Sequence, residues 1–433
     1  MNTAETELLA TTDRLREQQL AWTRDLIAIP TVNPYSGDDS AGSEAEGQKW
    51  YAQTCRNLGG AVRHVPVPDD VYKRAGMIGI PNRSWRDREN VVAEWQFGQG
   101  GPTVILNTHM DTVGTDGMAF DPFDPRVHDG TIYGRGSSDS KGNLVVGLIA
   151  LAALKQHATG LNGRIILESV VDEECNGAGA GTLACCLAGI TADFCICLDG
   201  STEAIHNGCN GITTPKVTVY GRAGHAASGG TAVNAIDKAF QVKQAVDRFA
   251  AQHLEKHPDC RVNLGVFRSG TLPAIVPSVA ELQFNISYAV EDARTAEQAH
   301  GVWNGAVVHQ RFETMLAKLG ETDAWFKEKP VKVEWLKDSY PFYSTADDQY
   351  SQTVIGAVHE LAQREAPVRS MPAWFDAAHL SRILKKPVLG IGSGTPGKAH
   401  GAEESAQLED LYRGARYIAL AVHRLLDDKG GHP

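Results

Sequence analysis

Apolar and polar positions follow two different rhythms along the chain. In the first rhythm, short unbroken apolar runs alternate with amphipathic stretches. Four runs stand out: 103–107 (TVILN), 164–171 (RIILESVV), 193–198 (DFCICL) and 387–391 (PVLGI). Each is short and rich in β-branched residues or Cys, as strands buried on both faces are. Helical patterns lie around them: an amphipathic helix over 1–29, another over 44–59 ending at Gly59-Gly60, and a third over 143–157. This alternation predicts an α/β architecture with a mostly parallel sheet covered on both sides. The Pro- and Gly-bearing stretch 66–88 is expected as a surface loop near the site.

Residues 211–342 keep a different rhythm. Strand patterns at 216–220, 263–267, 280–289 and 331–335 are interleaved with helical patterns at 232–256 and 295–319. The order β-α-β-β-α-β predicts a ferredoxin-like α+β unit, with helices on one antiparallel sheet. It interrupts the first rhythm between the third and fourth apolar runs, so it is expected as an insertion. No internal repeat or low-complexity stretch is visible.

The length of 433 residues suits two domains. With 42% hydrophobic and 21% charged residues, the chain has the balance of an ordinary globular protein. The net charge of -11 excludes the basic footprint of a nucleic-acid binder. No run of 18 apolar residues predicts a membrane span, and the first residues lack a secretory pattern. The eight cysteines are scattered, without zinc-finger or disulfide-framework spacing. They are expected as reduced thiols in a cytoplasmic protein.

Each apolar run is followed closely by acids or a histidine. His109 and Asp111 follow the first, Asp172, Glu173 and Glu174 the second, Asp199 the third and His400 the fourth. In open α/β sheets ligands bind beyond the carboxyl ends of strands. In the extended segment His109-Met110-Asp111, side chains two apart point the same way. His109 can bind a metal through one ring nitrogen while a nearby carboxylate takes the proton on the other, and Asp111 is placed for that. Alone, such a string reads as a packed histidine. The glycine-rich stretch 134–142 (GRGSSDSKG) lacks P-loop spacing and leaves Asp139 before a helix. One carboxylate there can bridge two cations. Of the neighbouring glutamates 173 and 174, one can coordinate metal and the other can hold water as a general base. Two imidazoles and three carboxylates, His109, Asp139, Glu174, Asp199 and His400, suit zinc well and cobalt or manganese acceptably. Arg135 and Lys141 are expected to pair with nearby acids, and Asp376 to have a local structural role. Cys175 reads as a packed thiol, and His64, His128 and His379 as surface or pocket-wall residues.

The motifs HMD (109–111), GRGSSDSKG (134–142), DEE (172–174), LDG (198–200), GRAGHAA (221–227) and HGAEE (400–404) together resemble those of the M20 metallopeptidase family. That family includes acetylornithine deacetylases, succinyl-diaminopimelate desuccinylases, aminoacylases and bacterial-type glutamate carboxypeptidases. The resemblance spans about residues 20–425. It implies His109 and Asp199 on one zinc, Glu174 and His400 on a second, and Asp139 bridging them. It implies Glu173 as general base and Asp111 as the residue orienting His109. It further implies a zinc-peptidase-like catalytic domain from residues 1–210 and 343–433, and a lid and dimerisation domain at 211–342. In that domain His225 would reach the active site of a second copy in a homodimer.

The chain departs from the family where Ala274 stands in place of a usual asparagine and Tyr288 in place of an arginine that clamps a substrate carboxylate. A phenol does not replace a bidentate guanidinium. Either another residue such as Arg268 serves, or the substrate differs. The expected activity is hydrolysis of the amide bond of a small N-acyl amino acid. An M20-type dipeptidase or carboxypeptidase is the alternative, and a non-catalytic metal-binding scaffold is the alternative of another class.

Overall fold

The computed structural model describes residues 1–427 apart from 176, 228 and 229. The four apolar runs become adjacent strands of one nine-stranded sheet. In lateral order they are Gly163–Val170, Thr103–His109, Phe194–Cys197 and Val388–Gly390, all parallel. Side chains alternate across a strand, and here the alternation feeds two cores. Val104 and Leu106 pack into one, while Ile105, Ile166 and Cys195 pack into the other. The first is covered by the helices Lys141–Gln156 and Leu408–Leu426, with Thr3–Arg14 and Arg16–Ile27 against them. The second is covered by Ala180–Leu187 and Ala377–Leu384.

Antiparallel strands flank the parallel centre. Ala61–Pro66 pairs with Glu89–Phe97, which pairs with Gly163–Val170. On the other side Ile205–Cys209 meets Val388–Gly390 and Phe342–Tyr343 antiparallel and Val368–Met371 parallel. The pattern expected as one helix over 1–29 is two helices meeting at Leu15. The 66–88 stretch is also more than a surface loop. It holds the short helix Val71–Arg74, and Val71, Tyr72, Arg83 and Arg88 are buried.

The second sheet is antiparallel throughout, in lateral order Val262–Ser269, Val279–Tyr288, Gly211–Tyr220 and Lys332–Ser339. The helix Ala235–Lys256 starts where the Asn234 side chain accepts the Ile236 N–H at 2.8 Å, an N-cap that satisfies one orphan donor. Ala239, Val242, Val246 and Phe249 form its buried stripe. The helix expected over 295–319 is instead Val290–His300 followed by Ala306–Ala317. Gly301, left-handed at φ 72°, ends the first of these, as C-terminal glycines do.

The two sheets are joined by very short links. Only Asn210 separates Ile205–Cys209 from Gly211–Tyr220, and only Tyr340 and Pro341 separate Lys332–Ser339 from Phe342–Tyr343. The Trp303 ring N–H donates to the Pro341 carbonyl at 2.8 Å, and the Trp374 ring N–H to that of Tyr340 at 3.1 Å.

Candidate metal centre

His109 is the last residue of its strand, and Glu173, Glu174, Asp199 and His400 follow the neighbouring parallel strands. The carboxyl ends of four strands therefore open onto one place. Asp139 reaches it from the loop ahead of the Lys141–Gln156 helix.

Three groups of ligand atoms lie within 4.8 Å of one another: His109, Asp139 and Asp199; Asp139, Glu174 and His400; and His109, Glu173 and Glu174. Asp139 belongs to the first two. Its Oδ1 lies 3.0 Å from His109 Nε2 and its Oδ2 lies 3.2 Å from His400 Nε2. His400 Nε2 also lies 2.7 Å from Glu174 Oε1.

The residues behind these groups fix them. His109 Nδ1 lies 2.9 Å from the main-chain carbonyl of Asp111, which can only accept, so this nitrogen donates and Nε2 faces Asp139. The Asp111 carboxylate stands farther off, at 3.8 Å. It accepts instead the main-chain N–H groups of Glu173 and Glu174 at 3.2 and 3.0 Å, and the Asn33 amide at 2.8 Å. Asp172 has left-handed backbone at φ 65°, which an aspartate tolerates. Its carboxylate takes Arg83, Arg88 and Asn33. Glu404 accepts the N–H groups of Gly136, Ser138 and Asp139 through Oε1, and Arg135 Nη1 at 2.6 Å through Oε2.

The charges do not balance among themselves. Burial and the neighbouring Asp139 push Glu174 up to about 7 and Asp199 to about 6. Burial likewise pushes Glu173 well above its usual range, against the pull of His109. Burial pulls His400 down, but contacts with Asp139 and Glu174 outweigh it and carry the imidazole up to about 11. Crowded carboxylates facing imidazole nitrogens in a partly dry site are what divalent cations relieve. The donor set of two nitrogens and carboxylate oxygens suits a borderline transition metal.

His225 lies elsewhere. It sits in the second-sheet region, in a two-residue strand paired with Ile275–Val276. It is exposed, its Nδ1 accepts the Ala227 N–H at 3.1 Å, and it belongs to none of these groups. Tyr288 is buried in the core of the second sheet and donates to Asp338 Oδ1 at 2.6 Å. Arg268 is exposed, 3.7 Å from Glu281.

Some expectations need correction. Lys141 is not paired with an acid: its buried ammonium donates to the Ile29 carbonyl at 2.7 Å. His379 is not a surface residue. It is buried between the Tyr340 hydroxyl and the Ala178 carbonyl. Asp376, expected to have a local structural role, precedes the Ala377–Leu384 helix without a side-chain capping bond and accepts from Thr182 Oγ1 at 2.7 Å. Cys175 is a thiol whose pKa burial raises.

Sequence reasoning passed over Asn33, Arg83, Arg88 and Lys337. Lys337, third from the end of the Lys332–Ser339 strand, is a buried ammonium. Burial pulls it down to about 8, against the charge of Glu173. A lone lysine in a strand pattern carries no signal; the Arg-rich composition of 83–88 was the available one.

The description "Peptidase family M20/M25/M40" matches residues 105–424. The chain is 26% identical to an N-formyl-4-amino-5-aminomethyl-2-methylpyrimidine deformylase of Halalkalibacterium halodurans, over 96% of each chain. It is 29% identical to a succinyl-diaminopimelate desuccinylase of Methylobacterium radiotolerans, over 67% of this chain and 70% of that one. Its fold is similar to that of the di-peptidase Dug1p of Saccharomyces cerevisiae, with TM-score 0.74, 15% identity and 99% and 100% of the two chains covered. It is also similar in fold to a dinuclear metal-binding M20 peptidase of Bacillus subtilis, with TM-score 0.62, 14% identity and 96% and 99% covered. A match over this much of the chain, at the strands that carry the clustered acids and histidines, means that the protein belongs to peptidase family M20/M25/M40.

Proposed function

We propose that this protein hydrolyses the C–N amide bond of a small N-acyl amino acid at a centre of two zinc ions. The observation that carries the reading is Asp139, whose two oxygens serve two separate groups of ligand atoms. His109 and Asp199 would hold one ion, Glu174 and His400 the other, and Asp139 both. Bound there, two divalent cations supply Lewis acidity that polarises the scissile carbonyl and acidifies water at neutral pH.

The chain supplies the rest. Glu173 is partly exposed and stands beside His109 and Glu174. A carboxyl with a raised pKa can take a proton from water and return it to the leaving amine. Asp111 holds the main-chain amides of both glutamates, and so fixes base and ligand relative to each other. Zinc suits the mixed imidazole and carboxylate set; cobalt or manganese would serve.

We further infer that residues 1–210 and 343–433, whose last six residues lie outside the described ones, form the catalytic domain. Residues 211–342 would form a lid that makes a homodimer. There His225 of one copy would donate to the oxyanion in the site of another. All eight cysteines are free thiols, which fits a reducing cytoplasm. No described helix is long and apolar enough to cross a membrane.

The deformylase and desuccinylase names of the relatives support an N-acyl substrate. The locked Tyr288 offers no carboxylate clamp at its position, which disfavours a carboxypeptidase. The deciding experiment offers N-formyl, N-acetyl and N-succinyl compounds and dipeptides to zinc- or cobalt-loaded protein. Turnover of the acyl compounds is expected. Turnover of dipeptides alone would make it a dipeptidase, and none at all would leave a metal-binding scaffold.

A further inference from the structure

We propose that the protein carries a further metal site in its second-sheet region, formed by His253, His257 and Asp292, for one divalent transition-metal cation such as zinc. His253 lies in the last turn of the Ala235–Lys256 helix and His257 is its C-terminal cap. Spacing of four puts both imidazoles on one side. Asp292 comes from the first turn of the Val290–His300 helix. One ligand atom from each lies within 4.8 Å of the other two.

All three residues are buried, at 2%, 9% and 2% exposure respectively. Each has a polar atom without a hydrogen-bond partner: His253 Nδ1, His257 Nε2 and Asp292 Oδ2. Native proteins leave few such atoms unpaired, and these three share one spot. Their orientation is set from outside. His253 Nε2 donates to the Ser287 carbonyl at 2.8 Å, which leaves Nδ1 with its lone pair inward. Arg311 Nη2 donates to Asp292 Oδ1 at 2.8 Å, which leaves Oδ2 inward. Ligating side chains are commonly held this way by a second partner.

His257 Nε2 and Asp292 Oδ2 are 3.3 Å apart. A tetrahedral zinc with bonds of about 2.0–2.1 Å sets its ligand atoms about 3.3 Å apart. Two imidazoles and a carboxylate leave the fourth position to water, as in three-ligand zinc sites. His257 also lines a cleft of about 770 Å³ together with Cys260 and Arg294. Bound metal would staple the end of one helix to the start of another. The rival arrangement is a bare His257–Asp292 ion pair.

The test counts metal per full-length chain by elemental analysis after zinc loading and removal of excess. His253→Phe and His257→Gln should each bind one equivalent less than the unsubstituted protein, with turnover unchanged. That difference is independent of what the catalytic centre binds. A second arm needs neither substitution: a His109→Ala/His400→Ala protein loaded with cobalt should keep one ion with tetrahedral visible absorption. An unchanged count in both variants, or no cobalt absorption in the second arm, overturns the proposal.

Discussion

Glu404 grips the loop that presents Asp139. Its Oε1 accepts the Asp139 main-chain N–H at 3.1 Å, together with those of Gly136 and Ser138 at 3.0 and 3.1 Å. Its other oxygen is held by Arg135. Glu404→Gln keeps the shape but gives Arg135 an amide to face. Residues that orient metal ligands typically change affinity or activity about 10–100-fold. A drop of that order in zinc affinity, measured by chelator competition, is expected. Unchanged affinity would show that the loop holds Asp139 without help.

Glu173 stands in one ligand group with His109 and Glu174, so its role as base needs a test. Glu173→Gln should lower kcat by about 10²–10⁴-fold, the usual worth of a general base, with metal content intact. Loss of a metal equivalent would make it a ligand instead.

Among the described residues, His225 belongs to no ligand group of its own chain. If a second copy supplies it, His225→Ala should cost about 10²–10³-fold in kcat, as loss of an oxyanion donor does. Mixing that variant with Glu173→Gln should then restore activity that neither has alone, since a mixed dimer holds one intact site. Mixed dimers without activity would sink the shared-site reading.

His379 makes the fold sensitive to acid. Burial holds it at about 4, with Nε2 donating to the Ala178 carbonyl at 2.8 Å. Unfolded histidine titrates near 6.5. As pH falls through about 6.5, the unfolded chain takes up a proton that the folded chain refuses. Stability is therefore full above that pH and is lost progressively down to about 4, by about 3 kcal/mol for a gap of this size. His206, also held at about 4 by burial, acts in the same direction. Urea unfolding midpoints measured across this range should fall less steeply for His379→Gln, and an equal fall would remove His379 as a cause.

The parallel strands and the clustered acids and histidines could be read from the sequence for one reason. A strand buried on both faces must be apolar along its length, and it ends abruptly where polar chemistry begins. Val104, Ile105 and Leu106 followed by His109 show both signals at once. The supports were hidden because they depend on distant pairs. Arg83 and Arg88 look like loop charges until Asp172 meets them across the fold. Lys337 sits in an ordinary strand pattern. Glu404 belongs to the HGAEE motif, but its hold on three amides of another loop has no local signature. The split at Gly301 was missed because apolar spacing continues on both sides of the left-handed residue. The pair His253 and His257 stood in plain sequence, but their third partner lies on another helix.

The links at Asn210 and at Tyr340-Pro341 limit how the molecule can flex. A door hung on two pins swings about one line and cannot slide. Any change in tilt between the two sheets has to be absorbed by the few dihedral angles of these three residues. One of them is a proline with fixed φ, and both neighbouring carbonyls on that link are held by tryptophans. Any relative motion of the two sheets is therefore restricted to a nearly rigid swing, with the freer pin at Asn210.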